Sequence, residues 1–170
     1  MQRKSFDGLQ CPIARGLERV GEWWSIMILR DAFHGLTRFD QFEASLGIAP
    51  NMLTRRLKGL VEAGLLEKRL YSERPPRHEY VLTERGRDFL PVLIAMGEWG
   101  NRHFADEGPA SILADAETGE ILHPVLVDRD SGKPITDLTA QFAAGPAADE
   151  HTRKRLAYAA RRRSERLAAV

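Results

Sequence analysis

The chain has 170 residues, of which 43% are hydrophobic and 29% are charged. This length allows one good core with a small appendage, and the composition is typical of a globular protein. No apolar run approaches the roughly 20 residues that span a bilayer, and the opening MQRKSFDGLQCP lacks the apolar region of a signal peptide. We therefore expect a cytoplasmic protein without membrane contact. The single cysteine, Cys11, excludes an internal disulfide and a cysteine-based zinc site.

The net charge of +1 conceals a strongly uneven distribution. Lys and Arg outnumber Asp and Glu by 16 to 13 in residues 1–104, are outnumbered 10 to 2 in residues 105–150, and dominate by 7 to 1 in residues 151–170. Seven basic and three acidic residues lie between Arg55 and Arg77. Such an excess suits a nucleic-acid footprint, but a solvated surface explains it equally well. Charge alone does not decide between them.

Four helices are predicted in the first 65 residues. CPIARGLERVG begins with a proline suited to a first helical turn, and GEWWSIMILRDAFHG is apolar almost all round, so the second helix should be buried on most sides. Its apolar residues are Trp23, Trp24, Ile26, Met27, Ile28 and Leu29. FDQFEASLG predicts a short third helix. The fourth, over 51–65, places Leu53, Leu57, Leu60 and Val61 on one stripe.

The opposite face of the fourth helix carries polar and basic residues. At 100° per residue, Asn51, Arg55, Lys58 and Glu62 fall together, with Thr54 and Arg56 on the flanks. Arg can bridge guanine O6 and N7, and Asn can bridge adenine. A short helix, a tight connection at Gly47 and a helix with basic residues in its first turns predict a helix-turn-helix. Read as structure alone, the same residues form an exposed helix face.

Two short apolar runs follow, joined by SERPPRH. The runs at 65–71 and 79–82 predict a β-hairpin directly after the DNA-reading helix, which is a wing. Prolines stiffen its tip, so Arg74 and Arg77 would reach the duplex at a lower ordering cost. Together with the fourth helix, the predicted DNA-binding residues are Arg38, Asn51, Thr54, Arg55, Arg56, Lys58, Arg74 and Arg77.

A long helix is predicted after the wing, with Thr83 as its cap. Its apolar residues fall on two sides, Phe89, Leu93 and Met96 on one and Leu90 and Ile94 on another. A helix that is apolar on two sides predicts burial against a second subunit as well as its own domain.

From Cys11 to about Phe104 the chain resembles the HxlR-type winged helix-turn-helix regulators, cousins of the MarR regulators. The resemblance rests on CPI, VGEWWSIMILRDAFHGLTRFDQFEASLGI, MLTRRLKGLVEAGLLEKR, PPRHEYVLTERGRDFLPVL and EWG. It implies a homodimeric transcription factor without catalytic activity, usually a repressor, which in some members responds to oxidants, electrophiles or small aromatic compounds. One departure is Ala49, where relatives usually carry a Ser that caps the recognition helix.

Residues 105–170 lie outside that resemblance. DAETGE and DRDSGK each place a glycine late in a polar turn between apolar runs, which predicts a three-stranded β-meander. FAAGPAADE is a plausible joint, and the chain ends in a basic helix that could touch DNA, pair with the acidic meander or fray. The predicted fold class is α+β, mainly α with a small β wing. Its predicted domains are 1–108 for DNA binding and dimerisation, 109–140 for the meander, and 141–170 for the linker and terminal helix.

Enzyme and metal signatures are missing from the sequence. There is no G-x-S-x-G, no H-E-x-x-H and no phosphate-binding glycine loop, and the five histidines have no ligand spacing, so we predict no enzyme, no metal and no cofactor. A sensing function remains open. Cys11 at the start of the first helix is a candidate redox sensor, because the helix dipole and Arg15 would favour its thiolate. A candidate effector pocket comprises Trp23, Trp24, Met27, Phe89 and Met96.

Three hypotheses follow from these patterns. The first is a dimeric DNA-binding regulator, and the second is a ligand or redox sensor whose output is DNA binding. The third is a protein-interaction module that uses the winged helix without touching DNA. Arginine in both the helix and the wing favours the first two.

Overall fold

The computed structural model describes residues 10–168, which divide into two compact units. The larger unit comprises residues 16–124, and the smaller unit combines residues 10–15 with residues 125–168. The helices are α1 (Pro12–Val20), α2 (Trp23–Phe33), α3 (Phe39–Leu46), α4 (Pro50–Glu62), α5 (Glu84–Arg87), α6 (Leu90–Phe104) and α7 (Glu150–Ala168). The strands are β1 (Leu66–Glu73) and β2 (Pro76–Leu82), and Ile135–Asp137 forms a short 3-10 helix.

The core of the larger unit lies between α2, α3, α4 and the start of β1. Its buried members are Val20, Ile28, Leu29, Phe42, Ile48, Leu53, Leu57, Leu60, Leu65 and Leu66. Helical spacing places three leucines of α4 on one face, and their burial removes that face from water. The predicted stripe of the fourth helix is thereby confirmed, and its other face is left to solvent.

A tight turn joins α3 to α4. Gly47 ends α3 with φ at 59°, in the left-handed region that glycine adopts at little cost, and its N–H donates to the Glu43 carbonyl at 2.9 Å. α4 begins at Pro50, and Ala49 before it provides no side-chain cap. The predicted helix-turn-helix is therefore formed by α3 and α4.

The wing is an antiparallel hairpin of β1 and β2. Leu66 pairs with Leu82 at its base and Glu73 with Pro76 at its tip, with an irregularity between Leu70 and Ser72. The predicted loop SERPPRH is shorter than expected, because pairing continues to Glu73 and leaves only Arg74 and Pro75 to turn the chain. The wing itself is confirmed.

The helix predicted after the wing is interrupted. Thr83 caps α5 as expected, since its Oγ1 accepts from the Gly86 N–H at 3.0 Å. α5 nevertheless ends at Arg87, and α6 begins at Leu90 with Pro91 in its first turn. Proline has no N–H to continue the preceding helix, so a single uninterrupted helix was the wrong prediction.

Helix α2 is buried or half-buried at every residue except Trp23, in agreement with the prediction of burial on most sides. Ile28 and Leu29 are fully buried, but Trp23 is 75% exposed. At 100° per residue Trp23 lies about 120–140° around the helix from both, which turns its ring away from the core they enter. Trp23 is therefore the exception in a helix that is otherwise covered.

The predicted three-stranded meander does not form a sheet within residues 10–168. Instead, the two turns each close on one isolated bridge, Ala114 with Ile121 in the larger unit and Val127 with Pro134 in the smaller unit. Each turn is held by its own aspartate. Asp115 accepts from two backbone N–H groups at 2.8 Å, and Asp128 accepts from the N–H of Ser131 at 2.8 Å and from its hydroxyl at 2.7 Å. Pro134 cannot donate to a ladder, which limits the second pairing.

Nowhere between residues 10 and 168 is a helix long and apolar enough to cross a membrane.

Candidate nucleic-acid interface

The solvent face of α4 presents most of the predicted base-reading residues. Asn51, Thr54, Arg55 and Lys58 are all exposed. The Asn51 side-chain oxygen accepts from the Met52 N–H at 2.8 Å, and the Thr54 hydroxyl donates to the Pro50 carbonyl at 2.8 Å. Lys58 lies 3.7 Å from Glu62, one helical turn on. These bonds orient the short polar side chains along the first two turns of the helix.

Arg55 differs from these neighbours. Across residues 10–168 its guanidinium makes no ion pair or side-chain hydrogen bond. A guanidinium carries five donors in a planar fork that suits bidentate acceptors. Arg55 therefore offers a complete set of donors to a partner outside the chain.

Arg56 has a different environment from the rest of the predicted set. Its Nη2 donates to Glu22 Oε2 at 2.9 Å, and only 15% of its side chain is exposed. Its Nε is buried without a partner among the described residues. This ion pair joins α4 to the residue that precedes α2, so the structure gives Arg56 a contact within the fold.

The wing carries the two predicted backbone-contacting cations at its far end. Arg74 lies in the turn, and Arg77 lies in β2 opposite Ser72; both are exposed. Arg69, nearer the base, pairs with Glu67 at 2.8 Å, which raises the pKa of Arg69 and lowers the pKa of Glu67. The cations at the tip are the less compensated ones.

Arg38 joins the helix-turn-helix to the wing. It precedes α3, forms an isolated bridge with Glu79, and holds its guanidinium 4.7 Å from the centre of the Tyr71 ring. The neighbouring Thr37 carbonyl accepts from the Tyr80 N–H at 2.7 Å. The wing is thus fixed against the start of α3. Sequence reasoning missed Tyr71, because a cation–π contact between residues 33 positions apart leaves no local pattern.

Cys11 lies in the smaller unit, half-buried, as a free cysteine. The Ala14 N–H lowers the pKa of its thiol most, and the Ile13 N–H and the charge of Arg155 lower it further. The expected direction of the shift is therefore present, with the helix N-terminus as its main cause. The basic side chain that lowers the pKa of Cys11 is Arg155 of α7, whereas the sequence suggested Arg15.

The five residues of the predicted effector pocket have different environments. Trp24 and Phe89 pack against the hydrophobic core, and Met27 is half-buried with its sulfur 3.8 Å from a nitrogen of Arg30. Trp23 and Met96 are exposed. No group of His, Cys, Asp and Glu within residues 10–168 is arranged to hold a metal ion.

A helix-turn-helix with an exposed polar second helix, followed by a two-stranded wing with arginines at its tip, defines a winged-helix DNA-binding protein. A family model, the HxlR-like helix-turn-helix, matches residues 19–108. The chain belongs to this family, as its sequence motifs indicated. It is a DNA-binding transcriptional regulator, in agreement with the prediction that it is not an enzyme.

Relatives extend the match beyond the family domain. An uncharacterized HTH-type transcriptional regulator of Mycobacterium tuberculosis, Rv3095, is 41% identical over 135 residues, which cover 79% of this chain and 85% of the relative. The structure of PA1374 from Pseudomonas aeruginosa, described as a candidate transcription factor, shares 54% identity and covers 86% of this chain and all of its own, with a TM-score of 0.61. PA1607, described in the same terms, gives 37% identity, a TM-score of 0.72, and coverage of 81% and 99%.

Proposed function

We propose that this protein is a homodimeric repressor that binds a specific operator in double-stranded DNA and releases it in response to a signal. It would act in the cytoplasm, its predicted location, where the chromosome lies. The observation that carries the proposal is that Arg55 on α4 and the arginines at the wing tip are all exposed and have no ion-pair partner among the described residues. Arg38, which precedes α3, joins the helix-turn-helix to the wing, so α4 and the wing can act on one duplex together.

The two elements would make different kinds of contact. Base edges in the major groove are read by side chains on a helix, and Arg55 with Asn51 would supply the bidentate groups for guanine and adenine. Thr54 and Lys58 lie alongside and would contact sugar or phosphate. Arg74 and Arg77 would bind backbone or a narrow minor groove and add affinity more than sequence choice. Arg56 is left out of this interface, because its side chain is largely covered and its Nη2 donates to Glu22.

Dimerisation through α6 is the second part of the proposal. No residue of this helix is fully buried, and its apolar surface includes Trp99 at 57% and Phe104 at 69% exposure. Their rings pack edge to face, with centroids 4.9 Å apart, which makes one continuous aromatic surface. A second copy would cover it in an isologous contact, and the two recognition helices would then require half-sites about 34 Å apart or a multiple of that distance.

The signal is the third part. A redox regulator, HypR in its oxidized form, is 33% identical and has a TM-score of 0.51 over 54% of this chain. Together with the lowered pKa of Cys11, this supports an oxidant as the input. A resolving thiol would come from the partner chain, since this chain has one cysteine. Replacement of Cys11 by Ser should abolish the release of DNA by diamide, and unchanged release would exclude Cys11 as the sensor.

An aromatic effector is the alternative input. Trp23 and Met96 are exposed in one chain, in which α2 and α6 are in contact. A second subunit that packs against these two helices would enclose both residues together with Trp24, Met27 and Phe89. A panel of aromatic compounds should then raise the melting temperature of the dimer. A dimer that shows no thermal shift would mean that these residues are simply packing residues.

Selection of bound duplexes from a random-sequence library tests the function without knowledge of the operator. The protein should enrich a two-fold symmetric motif. It should also retard in a gel the DNA that lies upstream of its own gene. Arg69→Ala is a suitable control variant for the wing, because it removes an arginine that is already paired with Glu67. It should enrich the same motif. Absence of any enriched motif would favour the alternative function, a protein-interaction module built on a winged helix.

A further inference from the structure

The smaller unit contains a cavity that DNA binding does not use. It has a volume of about 470 Å³ and is bounded by the start of α1, the chain at 142–148 and the first turns of α7. Ile13, Phe142 and Leu156 give it apolar walls. Sites for small molecules in proteins have volumes of about 300–1,000 Å³ and mainly apolar walls with a few polar groups, so this cavity falls in that range.

The charged residues that line the cavity are all of one sign. Arg15 and Arg155 both line it, whereas no aspartate or glutamate does. Within residues 10–168 neither guanidinium forms an ion pair. The nearest acidic group in sequence, Asp149, is already engaged, since its carboxylate accepts from the Thr152 N–H at 2.7 Å and caps α7. The two lining arginines therefore have no ion-pair partner among the described residues.

A polar contact also joins the segments that form the cavity. The Gln10 side-chain oxygen accepts from the Asp149 N–H at 2.7 Å, which fastens the residue before α1 to the residue before α7. Thr152, in the first turn of α7, is buried at the cavity wall. These contacts bring together two segments about 140 residues apart, so the cavity belongs to the folded unit and not to a single loop.

We propose that this cavity is a binding site for a small organic anion with an apolar body, of the aromatic carboxylate class. Arg155 and Arg15 would hold the carboxylate, because a guanidinium binds it through two parallel hydrogen bonds. Phe142, Leu156 and Ile13 would cover the aromatic ring. Neutral apolar compounds would leave both cations without a partner, and inorganic anions would leave the walls uncovered. The site does not depend on the DNA-binding function proposed above.

Cys11 provides a direct measurement of occupancy. It lines the same cavity and is the only cysteine of the chain, so iodoacetamide modifies a single position. In that reaction the thiolate sulfur displaces iodide from carbon, and a bound ligand blocks the approach of the reagent. The probe would be 2-naphthoate, and 2-naphthalenemethanol would be the neutral compound with the same ring system.

On the full-length protein, saturating 2-naphthoate should slow alkylation of Cys11 at least several-fold. The concentration for half protection should rise roughly tenfold in Arg155→Gln, as expected when one charge-assisted hydrogen-bonded pair is lost. Arg15→Gln should act in the same direction. Arg166→Gln, on α7 but outside the cavity, is the matched control and should leave that concentration unchanged.

Any of three results would overturn the proposal. One is that millimolar 2-naphthoate leaves the alkylation rate unchanged. The second is equal protection by 2-naphthalenemethanol, and the third is an unchanged half-protection concentration in both arginine variants. Either of these would mean that charge does not recognise the ligand. All these readouts are made without DNA, so their outcome is separate from that of the operator-binding experiments.

Discussion

Two adjacent arginines of α4 show how much the role of a residue depends on its position around a helix. Arg55 faces solvent and has no ion-pair or side-chain hydrogen-bond partner within the described chain, whereas Arg56, 100° further round, reaches Glu22 and is largely covered. The sequence placed Arg56 on the flank of the DNA-reading face. It could not show that a glutamate 34 positions away would meet it, because that contact depends on how α2 and α4 pack.

Replacement of each arginine should therefore affect a different property. Arg55→Ala should weaken operator binding by about 1–3 kcal/mol and relax preference at one base pair, with no loss of folding stability. Arg56→Ala should lower the free energy of unfolding by about 1–3 kcal/mol, because it removes a hydrogen-bonded ion pair and a largely covered side chain between α4 and the residue before α2. Fluorescence anisotropy and urea unfolding measure the two effects. Arg55 does not read a base pair if Arg55→Ala discriminates among single-substituted operators in the same way as the unaltered protein.

The thiol of Cys11 should react at a lower pH in the native protein than in the unfolded chain. The thiolate is the nucleophile, and the N–H groups of α1 lower the pKa of this thiol in the fold, so a larger thiolate fraction exists at any pH below the unfolded pKa. The alkylation rate should reach half its maximum at a lower pH in buffer than in concentrated urea. Equal midpoints would show that the helix does not act on this thiol.

At the scale of elements, local patterns gave most of the helices and the wing. The spacing of leucines fixed the buried face of α4, and Gly47 and Thr83 have the turn and cap roles expected of them. The failures arose where a local pattern competes with a proline or with burial. Pro91 starts a new helix, and Pro134 restricts a bridge to one residue pair. Trp23 remains exposed, although it belongs to a helix that is apolar almost all round.

One close approach between elements gives a sharp test of the packing. Gly86 of α5 is buried, and a methyl group on it would overlap the Leu65 carbonyl oxygen and lie 3.1 Å from a methyl group of Leu82. Gly86→Ala should therefore lower the free energy of unfolding by about 3 kcal/mol, at the upper end of overpacking effects. Backbone atoms are in the way, so a rotamer change cannot relieve the overlap.

Gly59→Ala is the matched control. Gly59 lies within α4, and nothing approaches within 4 Å of the added methyl group. Alanine should there raise stability by about 0.5–1 kcal/mol through the lower entropy of the unfolded chain. Urea denaturation of both variants provides the comparison, and equal effects of the two substitutions would contradict the packing of α5 against the start of β1.

At the scale of the whole molecule, the apolar surface of α6 leads to a prediction about assembly. The chain should sediment with a mass twice the 19.1 kDa of one subunit at micromolar concentration. Trp99→Glu would place a charge in the centre of the proposed contact and should give a folded monomer that binds a half-site weakly. Arg102→Gln, which removes no apolar surface, should remain dimeric. A stable monomer of the unaltered protein would exclude the proposed dimer.

The cavity at Cys11 is the feature that the sequence did not predict. Its walls come from both ends of the chain, and hydrophobic periodicity contains no information on contacts over that separation. The winged helix, by contrast, is built from neighbours in sequence, with the turn at Gly47 and the hairpin at Arg74 and Pro75, and it was predicted almost in full.

The proposed function requires that α4 and the wing contact DNA together. The most direct test is the salt dependence of binding by Arg77→Ala, with titrations on operator and scrambled duplexes at several salt concentrations. Loss of one phosphate contact should weaken binding to both duplexes and reduce the slope of log K against log salt by about one unit. An Arg77→Ala protein with unchanged affinity and unchanged slope would contradict the claim, because the wing would then be a rigid turn that does not touch DNA.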